Sequence, residues 1–68
     1  MNKQDPEYQQ QRRDAHWRLD AEHLRYIRKG GAEGIGEATY LRSLMILGYS
    51  PAEARTELSL LRLANDRR

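Results

Sequence analysis

The sequence predicts an all-α protein with one long N-terminal helix followed by a short two-helix hairpin. Two observations predict this fold class. Gly and Pro occur only at position 6, within residues 30–36 and within residues 48–51. The segments between these positions have the lengths of helices and carry apolar residues at helical spacing. A chain of 68 residues accommodates one small domain at most, so we expect residues 1–68 to form a single unit.

The long helix is predicted over residues 6–29. Asp5 is a suitable cap, Pro6 fits the first helical position, and Glu7 places a negative charge near the positive end of the helix dipole. Two consecutive glycines follow the helix and provide its stop. The residues before Leu19 carry too little apolar surface to offset the entropy of ordering them alone. We therefore expect them to be frayed or ordered by a partner, with residues 1–5 frayed.

The hairpin is predicted from helices at 37–47 and 51–65 joined by a tight corner. Gly48 suits the left-handed residue that ends a helix, while Ser50, Pro51 and Glu53 have the spacing of a capping box with Pro at its first position. Its core face is predicted to contain the following aliphatic residues: Leu41, Leu44, Met45, Ala54, Leu58 and Leu61, flanked by Tyr40 and Leu47 and widened by Leu60 and Leu63.

Composition excludes several classes of protein. The absence of Cys excludes disulfides and thiolate-bound zinc, and no apolar run has the length of a membrane span or the form of a signal peptide. We therefore expect a cytoplasmic protein that neither enters a membrane nor carries a cofactor. The net charge of +2 permits nucleic-acid binding, although the sequence lacks the dense basic stripe typical of dedicated binders.

Two apolar stripes run along the long helix. One contains Tyr8, Ala15, Leu19 and Tyr26, and the other contains Trp17, Ala21 and Leu24. A helix with two separate apolar stripes packs against two different surfaces. The hairpin is expected to cover only one end of this helix, which leaves its N-terminal half for a second copy or for another protein. The predicted contact residues are Tyr8, Ala15, Trp17, Leu24 and Tyr49. An equal alternative for Tyr49 is that it attaches the corner to the core.

Two further groups of side chains suggest alternative functions. His16, Asp20 and His23 follow the i, i+4, i+7 spacing that could hold a divalent metal, although the same residues suit polar positions on a helix interface. Four arginines could contact nucleic acid, namely Arg12, Arg13, Arg18 and Arg25. Glu53 and Glu57 on the last helix would repel phosphates.

The sequence offers no arrangement that indicates an enzyme. It contains no nucleophile, base and orienting group in a recognisable set. The glycine cluster between residues 30 and 36 follows a helix and leads into Glu37, whereas a phosphate loop follows a strand and ends in Gly-Lys-Ser or Gly-Lys-Thr.

The hairpin resembles two known kinds of helical module. One part of the hairpin resembles the first two helices of ubiquitin-associated (UBA)-like domains. The residues that show this resemblance are Leu41, the run from Leu44 to Ser50, Ala54 and Leu58. The same residues, with the corner Leu47-Gly48-Tyr49-Ser50, are similar to the helical region of MerR-type regulators. The resemblance covers residues 41–61 and implies a binding surface around the corner.

We therefore expect a small non-enzymatic protein that acts as an adaptor, inhibitor or regulator through contacts with another protein or with a second copy of itself. The alternatives are a small DNA-binding transcriptional regulator and a metal-binding helical protein.

Overall fold

The computed structural model describes residues 6–67, and within this range it contains three helices and no strand. Helix α1 spans Pro6–Arg28, α2 spans Glu37–Ile46 and α3 spans Pro51–Asp66. The predicted fold class is confirmed, and each predicted helix boundary lies within one residue of the observed one. The predicted cap at Asp5 and the predicted fraying of residues 1–5 lie outside the described residues. No helix within residues 6–67 combines the length and apolar character needed to cross a bilayer.

Helix α1 ends in a glycine cap formed by two backbone hydrogen bonds. The N–H of Gly31 donates to the carbonyl of Tyr26 at 2.9 Å, and the N–H of Gly30 donates to that of Ile27 at 3.3 Å. Gly30 has φ +62°, the left-handed conformation that this pairing requires. The cap satisfies carbonyls that would otherwise be free at the helix end.

The loop after this cap folds back onto α1. The N–H of Ile35 donates to the carbonyl of Glu22 at 3.2 Å. Gly34 has φ +83°, and a Cβ at this position would overlap the carbonyl oxygen of Glu22. Only glycine allows the loop to approach the helix backbone this closely. The return of the loop to Glu22 fixes where α2 begins relative to α1.

The corner between α2 and α3 has the local structure that the sequence predicts. Gly48 has φ +107°, and the next N–H, of Tyr49, donates to the carbonyl of Leu44 at 3.1 Å. The Ser50 hydroxyl accepts from the N–H of Glu53 at 3.1 Å, and the Glu53 carboxylate accepts from the N–H of Ser50 at 2.9 Å. This capping box, with Pro at the first helical position, fixes the direction in which α3 leaves the corner.

The hairpin contains the apolar core. The buried apolar residues are Tyr40, Leu44, Ala54 and Leu58, and the partly buried residues around them are Leu19, Ile35, Leu41, Leu47, Tyr49 and Leu61. The prediction that Met45 faces the core and that Leu60 and Leu63 widen it is wrong, since all three side chains are exposed. Each helical residue turns by about 100°, so with Leu44 at the centre of the core its neighbour Met45 points toward the edge.

The hairpin lies along most of α1, and the expectation that it covers only one end is wrong. At one end of the contact His23 stacks on Tyr40, with ring centroids 5.2 Å apart. At the other end a Cβ on Gly48 would lie 3.6 Å from the hydroxyl oxygen of Tyr8. Because the loop docks at Glu22, α2 begins beside the inner part of α1 and runs back toward its N-terminus. One face of the N-terminal half of α1 thereby packs on the hairpin, and its other residues are exposed.

Candidate functional site

A polar cluster joins α1 to the hairpin. His16 Nδ1 lies 3.1 Å from the Tyr49 hydroxyl, and His16 Nε2 lies 3.3 Å from Asp20 Oδ1 and 3.5 Å from Glu57 Oε2. The Tyr40 hydroxyl donates to the same Asp20 oxygen. Nε2 is buried and makes no hydrogen bond of good geometry, so it lies close to both carboxylates without being hydrogen-bonded to either.

Burial and the polar cluster together raise the pKa of the Tyr40 phenol far above its ordinary value. Burial is the largest cause, followed by the hydrogen bond to Asp20 and the negative charge of that carboxylate. Tyr40 is fully buried, so its hydroxyl remains protonated and serves as a donor inside the fold. The chemistry of this cluster is therefore that of a structural contact between helices.

The three predicted metal ligands do not converge. His16 and Asp20 are neighbours, but the Nδ1 of His23 lies 3.0 Å from the carbonyl oxygen of Ile35, to which it donates. The His23 side chain is 1% exposed, and its ring stacks between two tyrosines. Residues 6–67 contain no group of three His, Cys, Asp or Glu side chains arranged to hold a metal ion. His23 instead attaches the loop to α1.

Tyr49 attaches the corner to α1, as one of the two interpretations of the sequence predicts. The guanidinium carbon of Arg12 lies 3.9 Å from the centre of its ring, and the His16 ring meets it edge-on at 5.3 Å. The side chain is only partly exposed. Its ring and hydroxyl are thus occupied within the chain.

The four predicted nucleic-acid contacts do not form one surface. Arg12 packs on Tyr49, and Arg25 lies 3.8 Å from a carboxylate oxygen of Glu22 and 3.6 Å from one of Glu33. Arg13 and Arg18 are five residues apart in α1, which places them about 140° apart around its axis. The four positive charges therefore do not all lie on one side of α1.

An apolar groove runs between α1 and α2. It consists of two adjoining cavities, of about 190 and 340 Å3, that share Ile46 and Leu47. The smaller cavity is also lined by Tyr8, Gln11 and Arg12, and the larger one by Ala15, Arg18, Leu19 and Ser43. The side chain of Ile46 is 78% exposed at its edge. The groove is hereafter called the α1–α2 groove.

Trp17 lies on the other side of α1. It lies two positions after Ala15, which lines the groove, and this corresponds to about 200° around the helix. Trp17 is 68% exposed, whereas Leu24 on the same stripe is partly buried. Exposed aromatic and aliphatic side chains thus occur on two separate faces of the molecule.

The structure distributes the five predicted contact residues among different environments. Tyr8 and Ala15 are partly buried and line the α1–α2 groove, while Tyr49 packs on α1 and Trp17 is exposed. The sequence interpretation missed Ile46. The signal was the run Leu44-Met45-Ile46-Leu47, because four consecutive helical residues span most of the circumference and cannot all face one core.

No protein-family profile, curated protein or solved structure matches this chain. The UBA-like and MerR-type resemblances of residues 41–61 therefore stay predictions.

Proposed function

We propose that this chain is a small non-enzymatic protein that acts as an adaptor, inhibitor or regulator by contacting other proteins. The proposal is based on large apolar side chains that remain exposed although other apolar residues already form a buried core. Six large apolar side chains are exposed among the described residues: Trp17, Ile27, Met45, Ile46, Leu60 and Leu63. Single exposed apolar residues are ordinary, but Ile46 lies at the edge of the α1–α2 groove, and an apolar groove at the surface is typical of an interaction site.

The polar groups that could support other functions are used within the fold. His16, Asp20 and Glu57 form the cluster between the helices, and His23 donates to the loop. Arg25 lies between two carboxylates. These contacts favour protein binding over the metal-binding alternative, because they use the imidazole and carboxylate groups that a metal would need. Of the four arginines of the DNA-binding alternative, Arg12 packs on Tyr49 and Arg25 faces two carboxylates.

Affinity capture and sedimentation velocity test the proposal together. The full chain is immobilised and exposed to lysate of its source organism with and without nuclease, while sedimentation of the free chain measures self-association. We expect either a discrete protein captured in both lysates or a concentration-dependent dimer. Trp17→Ala or Ile46→Gln should weaken whichever complex forms and leave the helical circular dichroism unchanged. A monomer that retains only nuclease-sensitive material would contradict the proposal.

A further inference from the structure

The α1–α2 groove is long enough to bind one short helix. On α1 its lining residues extend from Tyr8 to Leu19, a rise of roughly 17 Å, or about three helical turns. On α2 the lining is concentrated at Ile46 and Leu47, which contribute to both cavities. A helix laid into such a groove contacts it through one stripe of side chains spaced three and four residues apart.

The floor of the groove is apolar and its charged groups are all positive. Ala15, Leu19, Ile46 and Leu47 supply the apolar surface. Arg18 lines the larger cavity, and Arg12 lines the smaller one while it packs on a tyrosine ring. None of the described residues that line the groove is Asp or Glu.

Two arginines, one in the groove lining and one beside it, form no ion pair within residues 6–67. Arg42 precedes Ile46 by one helical turn and is therefore its neighbour on the surface of α2. Arg18 has Asp14 one turn before it and Glu22 one turn after it, but neither carboxylate forms an ion pair with it within the described residues. The Glu22 carboxylate lies toward Arg25 instead. Both guanidinium groups are thus available to an acidic partner.

We propose that the α1–α2 groove binds an acidic amphipathic helix of a partner protein. Its apolar side chains would pack on Leu19, Ile46 and Leu47, and its Glu or Asp side chains would lie beside Arg18 and Arg42. The charge complementarity determines the class of partner, since a basic helix would meet positive charge at the edges of the same apolar floor. This inference rests on the proposed function and names the chemistry of the partner.

Fluorescence anisotropy with two designed peptides tests the inference. The probe is a fluorescein-labelled helix of about 18 residues, with Leu at every third and fourth position and Glu on both flanks. The control peptide has the same sequence with Lys in place of every Glu. We expect the full chain to bind the acidic peptide about tenfold or more tightly than the basic one, and the difference to shrink at about 0.5 M salt.

Variants locate the binding site. Ile46→Gln should weaken binding of the acidic peptide by about tenfold, whereas Leu63→Gln on α3, which also removes an exposed leucine side chain, should leave binding unchanged. Arg18→Glu should reduce or reverse the preference between the two peptides. Circular dichroism of each variant verifies that the helices are intact, because the three side chains are exposed.

Three results would overturn the inference: binding of neither peptide, equal binding of both, or equal loss of binding in Ile46→Gln and Leu63→Gln. The proposed function fails separately. If the full chain still forms a dimer or captures a discrete protein while Ile46→Gln has no effect, protein binding is retained and the groove is not its site. If the full chain binds labelled duplex DNA with steep salt dependence and no protein, both proposals fail.

Discussion

The contact between α2 and α3 and the contact between α1 and the hairpin are built from different chemistry. Leu44, Ala54 and Leu58 make the first contact apolar. The second depends on side chains of α1 such as Asp20, His16 and Arg12. Asp20 and His16 form hydrogen bonds with tyrosines of the hairpin, His16 also lies near the Glu57 carboxylate, and Arg12 packs on the Tyr49 ring. Apolar burial depends little on angle, whereas polar contacts weaken when their geometry shifts.

The difference indicates how each contact is specified. A stripe of aliphatic residues can pack in several registers, but the polar contacts of α1 are satisfied in one register only. We infer that the hairpin supplies most of the stability and that the polar contacts determine where α1 docks. The next four predictions test this division, from the largest expected effect to the smallest.

Truncation of the hairpin core should have the largest effect. Leu44→Ala removes a fully buried side chain and should lower the free energy of unfolding by about 2–5 kcal/mol. The whole free energy of unfolding of a domain of this size is only about 3–10 kcal/mol. Ile46 lies two positions further along the same helix but is exposed. Ile46→Ala should therefore change the free energy of unfolding by less than about 0.5 kcal/mol. Urea unfolding followed by circular dichroism compares them, and similar losses would contradict the division.

The docking of the loop on α1 should be the next most sensitive feature. Gly30→Ala and Gly34→Ala both place a Cβ on a left-handed residue, which costs about 1–2 kcal/mol. A Cβ at Gly30 meets no atom within 4 Å, whereas one at Gly34 overlaps the Glu22 carbonyl. Thermal unfolding should therefore show a lower Tm for Gly34→Ala than for Gly30→Ala. Equal Tm values would show that the loop can leave α1 without loss.

The Tyr40 hydroxyl should stabilise the polar contact and make stability depend on alkaline pH. Tyr40→Phe leaves Asp20 without this donor and should cost about 1–2 kcal/mol at neutral pH. The folded state raises the pKa of Tyr40, so above about pH 10 the unfolded chain releases the proton first. Wild-type stability should therefore fall as pH rises through that value.

Urea unfolding from neutral pH to about pH 11 measures this loss. Tyr40→Phe should lose less stability over the alkaline range, because it lacks the phenol. Tyr49→Phe serves as the control, since it also removes a hydroxyl that contacts α1 but retains Tyr40. A wild-type slope no steeper than that of Tyr40→Phe would contradict the role of the buried phenol.

Removal of the Glu53 carboxylate from the capping box should have the smallest effect on stability, and this effect should appear at acidic pH. The backbone N–H of Ser50 is the first cause that lowers the pKa of Glu53, followed by the Ser50 side chain. The charged carboxylate therefore stabilises the fold above the ordinary Glu pKa of about 4.3, and this contribution is lost as pH falls through the lower folded value. Glu53→Gln should show a smaller acid-induced decrease in Tm; an unchanged decrease would contradict this role of the cap.

The positions of the helices could be predicted from the sequence because their ends are specified locally. Gly30 and Gly48 adopt left-handed backbone conformations, and Ser50 with Glu53 forms a capping box. Each of these signals acts within six residues, so it can be read without knowledge of the fold. Local signals did not indicate the surroundings of individual side chains: Tyr49 packs on α1, Tyr8 lines the α1–α2 groove and Ile46 is exposed.

The sequence by itself determined three helices, their boundaries and a capped corner, since these follow from backbone conformation and nearest-turn hydrogen bonds. The tertiary structure alone decided the register of α1, the pairing of His16 with Glu57 and the exposure of Ile46. These features depend on where the loop meets Glu22 and on which side of each helix its neighbours lie. Helical periodicity defines which residues share a face, but only packing decides which face is buried.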